Sequence, residues 1–427
     1  MCYQYGGPHT NELPYRPFSY DARRVFGQRR VDWQEIINFE RLRKERLERA
    51  RSTMKKHNLD ALICFNDENI RYITSVWQGH WKANIFVRYC VLPGDGDPVL
   101  FETAGADREC ALMDAPWLKG NIKPAITWVW SGPATPIQAR KMAEGVKKVL
   151  EENGVAKGRI GLDVMDWVAY KALSDAGLDL HNAWPAMSEA RLVKTKDELE
   201  LCKQAAAITD CAFDKIRNEW LKPGIRECEL AGKYVDFLLN NGFEFVPALI
   251  VASGGNTNPY RRWATDKIIR KGDLVIVDIA GAGPCGYFVD CTRTFICGNT
   301  KPTEEDKEAY RECYESLQAA INAFKHGATT KDIAENFPVY DDDKYGTCSL
   351  FQFAHSIGLS LYEGLWVSRG YSLEYPQEIK QNMYFAVETY SGNPKRRQAV
   401  RLEQDLVVTD TGYEIYTTFP FEEVFFE

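Results

Sequence analysis

KGDLVIVDIAGAGPCGYFVDCTRTF, residues 271–295, decides how the second half of this chain folds. Two apolar runs here read as buried strands, and each carries an acid. Asp278 ends LVIVD. Asp290 opens DCTRTF, where residues 290, 292 and 294 share one face of a strand. Burying an unpaired carboxylate costs several kcal/mol or more.

The pattern recurs downstream. Gly272-Asp-Leu-Val-Ile-Val-Asp278 aligns with Asn382-Met-Tyr-Phe-Ala-Val-Glu388, acid on acid. A second acid follows in each copy: Asp290 in the first, and Glu403 of AVRLEQDLVV in the second. Upstream, Lys222-Pro-Gly224-Ile-Arg-Glu-Cys-Glu229-Leu-Ala231 aligns with Lys325-His-Gly327-Ala-Thr-Thr-Lys-Asp332-Ile-Ala334. Each copy follows a helix and opens another. The expectation is two related αβ halves, each giving a pair of carboxylates to one central site.

Four carboxylates converging on one core need a cation. His355, in FQFAHSIGL, completes a donor set, and Gly358 leaves room for close backbone approach. Asp278, Asp290, His355, Glu388 and Glu403 can hold one or two divalent ions, with a carboxylate bridging. Oxygen-rich ligation favours Mn²⁺ or Fe²⁺, and Co²⁺ or Zn²⁺ is compatible. Such a centre can acidify bound water, polarise a carbonyl or anchor a substrate carboxylate.

At 427 residues the chain is long enough for two domains. Its net charge of −7 argues against nucleic acid or an anionic membrane as partner. No apolar run approaches the ~18 residues that span a bilayer. The N-terminal MCYQYGGPHTNELPYRPFSYDARR lacks an apolar signal core and reads as an extended arm. None of the twelve cysteines forms a CxxC pair, and most sit in apolar context, so they read as core thiols in a reducing cytoplasm. Residues 39–57 read as an amphipathic helix and 135–153 as another. Strands are expected at 61–65, 85–92, 99–102, 125–129 and 159–164. This makes residues 1–190 an α/β domain with an N-terminal arm, and a helix from Lys196 to Trp220 opens a second domain, 191–427.

The motifs KGDLVIVDIAGAGPCGYFVDCTRTF, HSIGLSLYEGL, MYFAVETY and VRLEQDLVVTDTGYE, entered through RLVKTKDELELCKQAA, resemble the pita-bread metalloenzymes: methionine aminopeptidase, prolidase, aminopeptidase P and creatinase. The resemblance implies a creatinase/prolidase-like N-terminal domain and an α+β pita-bread catalytic domain with an internal pseudo-twofold duplication. It also implies a homodimer, and Asp278, Asp290, His355, Glu388 and Glu403 as the five metal ligands. Two departures bear on activity. The family's peptidases carry a histidine where NTNPYRRWATDK has Tyr260, and a histidine–glutamate pair where this chain has Tyr362 and Glu363. Histidine titrates near neutrality and tyrosine near 10. The 12-residue spacing of Asp278 and Asp290, the TNP tripeptide, the NIRY segment and a TTFPFEE tail look similar to dimethylsulfoniopropionate lyase, the β-eliminating branch.

The functional expectation follows from these departures. It is a metal-dependent lyase cleaving a C–S or C–N bond in a small zwitterionic carboxylate, with Tyr362 or Tyr260 as candidate base and Glu363 beside them. The alternative is an Xaa-Pro dipeptidase or creatinase-like hydrolase using metal-bound hydroxide. Aromatic faces would suit a cationic group of the substrate, contributing about 0.5–2 kcal/mol. Candidates are Tyr260, Trp263, Tyr362 and Trp366, and Trp77 and Trp81 on a loop that in two-domain relatives reaches a partner's site; His80 on that loop is a candidate to supply a missing imidazole across a dimer interface. Arg401, two residues before Glu403 on the same strand face, is expected to orient it or meet a substrate anion.

Overall fold

The computed structural model describes residues 33–77, 85–103, 105–337, 352–393 and 395–427. They form two compact units. One contains the residues up to Arg191 with Thr195–Asp197, the other Leu192–Lys194 with Glu198–Glu427. His80 and Trp81 lie outside the described residues, as does the N-terminal arm. Among the described residues no helix is long and apolar enough to cross a membrane.

The first unit holds α1 (Phe39–Lys56), β1 (Ala61–Cys64), α2 (Asp67–Thr74), β2 (Tyr89–Pro93), β3 (Val99–Glu102), α3 (Ala106–Asp114) and β4 (Ile122–Pro124). It continues through α4 (Thr135–Glu152), β5 (Arg159–Leu162), α5 (Trp167–Asp175), β6 (Asp179–Asn182) and α6 (Trp184–Leu192). Its six strands form one mixed sheet in the order β4-β3-β2-β1-β5-β6. Asn38 starts α1 by accepting from the Arg41 N–H, and Leu42, Leu47, Ala50 and Met54 bury one stripe of it.

Two expected strands need correction. The run at 125–129 leaves the sheet after the Ala125 N–H bonds Glu102 O. Trp128 is buried there edge-on to Phe65, its indole N–H donating to Asp166, so this apolar run plugs a core and does not extend the sheet. The strand expected from residue 85 begins only at Tyr89, because Phe86 takes a left-handed φ of 73° and turns the chain.

The second unit takes in α7 (Lys196–Lys215) from Glu198 onward, which ends in one π turn over Ile216–Trp220, then α8 (Glu227–Asn240), β7 (Ile250–Ser253), β8 (Leu274–Ala282) and β9 (Phe288–Ile296). Then come α9 (Glu304–Ile321), α10 (Thr330–Asn336), β10 (Ala354–Ser356), β11 (Trp366–Val367), β12 (Tyr384–Ser391), β13 (Val400–Val408) and β14 (Tyr413–Ile415). A three-stranded antiparallel sheet, β7-β8-β9, packs its apolar side with α7 and α8. A five-stranded one, β11-β10-β12-β13-β14, packs with α9 and α10.

The duplication extends to single hydrogen bonds. The Gly224 N–H donates to Ile269 O, and the Ile269 N–H to Ile225 O; in the other half Gly327 donates to Ile379 O, and Ile379 to Ala328 O. Gly272 and Asn382, which lead into β8 and β12, both take left-handed φ, 85° and 67°. Asparagine is among the few side chains that tolerate this conformation, so it can stand where the first copy has glycine. The cysteines divide: Cys64, Cys90, Cys202, Cys291, Cys297 and Cys313 are buried free thiols, while Cys110, Cys211 and Cys228 are exposed. Cys285, on the β8–β9 turn, departs from the expectation of core thiols: it is disulfide-bonded.

Candidate metal centre

Strand register brings the acids together. Asp290 on β9 pairs with Ala280, two residues beyond Asp278 on β8, so both carboxylates occupy one face of the hairpin. Glu388 and Glu403 stand directly opposite each other on β12 and β13. His355 on β10 pairs with Ala386, on the face of β12 that carries Glu388. The two hairpins join along β9 and β13 through side chains. Arg293 Nη1 donates to Glu403 O at 2.6 Å, Thr294 Oγ1 donates to Arg401 O at 2.7 Å, and the Asp290 N–H donates to Asp405 Oδ2 at 3.1 Å.

The result is two overlapping donor groups, Asp290–His355–Glu388 and Asp278–Asp290–Glu403. Within each group, ligand atoms lie within 4.8 Å of one another, and Asp290 belongs to both. All five residues are buried. His355 Nε2 is 2.8 Å from Glu388 Oε1 and 3.2 Å from Asp290 Oδ2, out of line for a good hydrogen bond with either. Asp278 Oδ1 and both Glu403 oxygens have no hydrogen-bond donor among the described residues. Buried acceptors without donors are costly, and a divalent cation is what this donor set fits.

The electrostatics agree. Burial, then Asp290, pushes the Asp278 carboxyl up to about 7. Burial also raises Asp290 and, strongly, Glu403. Glu388 goes the other way: burial alone would raise it, but Arg401 and His355 hold it down at about 2. Burial alone would lower His355, yet Asp290 and Glu388 raise it to about 10.

Arg401 is the cation inside the cluster. Its Nη2 makes ion pairs with Glu388 and Glu403, its Nε lies 3.9 Å from Asp278 Oδ2, and its guanidinium sits 5.3 Å from the centre of the Tyr260 ring. Its Nε and Nη1 have no acceptor among the described residues. The Tyr260 hydroxyl donates to Asp278 Oδ2 at 3.0 Å. Tyr362 lies with its ring 4.5 Å from His355 and 5.2 Å from Trp366. Trp263 is exposed, with Arg262 reaching back over Tyr260. Glu363 is placed differently from its two tyrosine neighbours in the expectation. It is fully buried, and its carboxylate is taken up by Lys194 at 2.7 Å and the Ser360 N–H at 3.0 Å.

Sequence reasoning passed over three residues that hold the centre. Gln352 Nε2 donates to Glu388 Oε1 at 2.6 Å. Asp405 accepts from the Asp290 N–H and from Tyr384 at 2.8 Å. Its signal was present in the alternation Arg401, Glu403, Asp405. Glu227, at the start of α8, accepts from Ser253, Asn256 and Thr265, and so fixes both ends of the loop that carries Tyr260.

The M24 metallopeptidase family model matches residues 200–410, and the creatinase/prolidase N-terminal domain model matches residues 46–193. The chain belongs to the pita-bread M24 superfamily. This M24 enzyme is 31% identical over 230 residues to the Xaa-Pro dipeptidase of Pyrococcus furiosus, covering 53% of this chain and 63% of that one. It is 22% identical over 423 residues to the dimethylsulfoniopropionate lyase of Roseovarius nubinhibens, covering 93% and 90%. The Xaa-Pro dipeptidase from Bacillus anthracis has the same fold, with a TM-score of 0.71 at 24% identity over 89% of this chain and 98% of that one. M24 proteins bind divalent metals, and the acidic clusters of this enzyme are able to hold them.

Proposed function

We propose that this M24 enzyme is a metal-dependent lyase that eliminates a leaving group from a small zwitterionic carboxylate, with a sulfonium or ammonium group at the other end. Asp278, Asp290, His355, Glu388 and Glu403 would hold one or two ions, with Mn²⁺ or Fe²⁺ favoured by the oxygen-rich set. When bound, the metal would supply Lewis acidity to a substrate carboxylate. The observation that carries the reading is the pair of phenols, Tyr260 on Asp278 and Tyr362 on His355, flanking a cluster with one imidazole.

Burial, and then the neighbouring acids, push both phenols well above the usual tyrosine range. In the metal-free protein both are therefore protonated at neutral pH; Tyr260 stays on Asp278, Tyr362 would donate a hydrogen bond to the substrate, and the α-proton removed as the leaving group departs would pass to a carboxylate of the cluster. The open Nε and Nη1 of Arg401 offer a second anchor for its carboxylate. Tyr362 and Trp366 present aromatic faces to a cationic group. The likeness to the Roseovarius lyase over nearly the whole chain supports this reading.

Hydrolysis of Xaa-Pro dipeptides is the second reading. It is favoured by the 31% identity to the Pyrococcus dipeptidase across the catalytic unit. Purified protein loaded with Mn²⁺ or Fe²⁺ separates the two. Dimethyl sulfide and acrylate formed from dimethylsulfoniopropionate support the lyase. Proline released from Xaa-Pro dipeptides, with no sulfide, replaces it with the hydrolase.

A further inference from the structure

Lys194 and Glu363 form an ion pair whose two side chains are each 1% exposed. The pair is built into the fold. The Lys194 N–H donates to Asn382 O, just ahead of β12, which carries Glu388. Its ammonium crosses to Glu363 on the turn between β10 and β11. Gly358 makes the room: a side chain there would run into the Glu363 carboxylate and lie 2.7 Å from Lys194 Cε.

Glu363 in turn organises its own loop. Its Oε1 accepts from the Ser360 N–H, its N–H donates to Ser356 O, and its carbonyl accepts from the Leu365 N–H. The loop therefore closes on the Glu363 carboxylate, which is itself fixed from outside by Lys194. Tyr362 precedes Glu363 directly, and Trp366 follows three residues later. These two rings face His355 at 4.5 and 6.2 Å.

We infer that Lys194 is a positioning residue: through Glu363 it sets the turn that holds Tyr362 and Trp366 against the metal-side imidazole. Glu363 is then a structural counter-ion, not an acid or base of the reaction. The placement of the loop does not depend on which reaction the enzyme runs. Only the kinetic consequence rests on the function proposed above.

Two variants test this. Lys194→Met alone removes the ammonium from a buried carboxylate and is prone to misfold. The double variant Lys194→Met/Glu363→Leu removes both charges together, and is the one compared with wild type. Hydrogen exchange read by mass spectrometry on metal-loaded protein should show the peptide over residues 357–366 exchanging at least tenfold faster in the double variant. The strands carrying Asp278, Asp290 and Glu388 should keep their protection, and metal content by elemental analysis should be unchanged. With a substrate that turns over, KM should rise about tenfold with kcat changed less, and this rise should vanish in a Tyr362→Ala background. Wild-type exchange over 357–366 in the folded double variant overturns the inference. So does a KM increase that persists unchanged without Tyr362. If wild type turns over none of the substrates tried, the functional proposal fails while the exchange measurement still decides the role of Lys194.

Discussion

At the residue scale, Arg401 determines how the centre behaves without metal. It is 4% exposed and is the guanidinium shared by Glu388 and Glu403. Removing one partner of a buried ion pair leaves the other charge uncompensated, at a cost of about 3–5 kcal/mol. Arg401→Met should therefore lose about that much stability in urea unfolding of EDTA-treated protein, and a smaller amount once metal is restored. A loss below about 1 kcal/mol in the metal-free protein would mean that Glu388 and Glu403 do not need this cation. The four acids stood out in the sequence because each sits in or beside an apolar run, which His355 does not; the structure brings all five into two overlapping donor groups. Lys194 and Glu227 were not. Glu363, the partner of Lys194, lies 169 residues away, and Thr265 lies 38 residues from Glu227, so no local period marks either contact.

At the element scale, the repeat was readable because β8 and β12 carry an acid at the same place after an apolar run; both strands continue past it, to Ala282 and Ser391, so the acids sit mid-strand and not at the strand ends expected, and the turns before α8 and α10 match bond for bond. In the first unit the strand at 99–102 and the helices at 39–57 and 135–153 were legible from composition and period. The plug around Trp128 was not, since an apolar run reads alike whether it joins a sheet or fills a hole. Nor was β6, Asp-Leu-His-Asn, which is polar and pairs in parallel at the sheet's edge. Between α8 and β8 the decisive device is Glu227. Its carboxylate accepts from the Ser253 and Thr265 N–H groups, the Ser253 hydroxyl and the Asn256 amide, and it also pairs with the Thr265 hydroxyl. From the other side, Asn258 Nδ2 donates to Asn393 O and Arg396 O, and Tyr390 donates to Thr257 O. Hydrogen bonds to a charged group contribute about 1.5–3 kcal/mol each, and some of these donors can find water once released. Glu227→Ala should cost about 3 kcal/mol by denaturant unfolding and loosen Tyr260 from Asp278, while Glu227→Gln should cost less. An alanine variant as stable as wild type would show that the loop is held by the β12–β13 side alone.

For the molecule as a whole, the balance of charge in the catalytic unit fixes how stability responds to pH and metal. In the metal-free protein Asp278 titrates at about 7, well above an unfolded aspartate. The folded state therefore keeps a proton that the unfolded chain gives up, and stability falls as pH rises from about 4 to about 7. His355, raised to about 10, acts in the same sense: its contribution is complete below the unfolded value near 6.5 and is lost as pH rises through 10. Glu388, held at about 2, opposes them only on the acid side, where stability falls as pH drops below about 4.5. The metal-free enzyme should thus be most stable in mild acid and lose melting temperature steadily toward pH 9. Divalent metal reverses that slope, because it takes the place of the protons held at Asp278 and His355 and binds best where those groups are deprotonated. Melting temperatures at pH 5, 7 and 9, with EDTA and with Mn²⁺, should diverge: similar at pH 5, and widely separated in favour of metal at pH 9. A metal-free melting temperature that climbs from pH 5 to pH 8 would mean the buried acids are not charge-starved, and that some cation other than Arg401 already neutralises them.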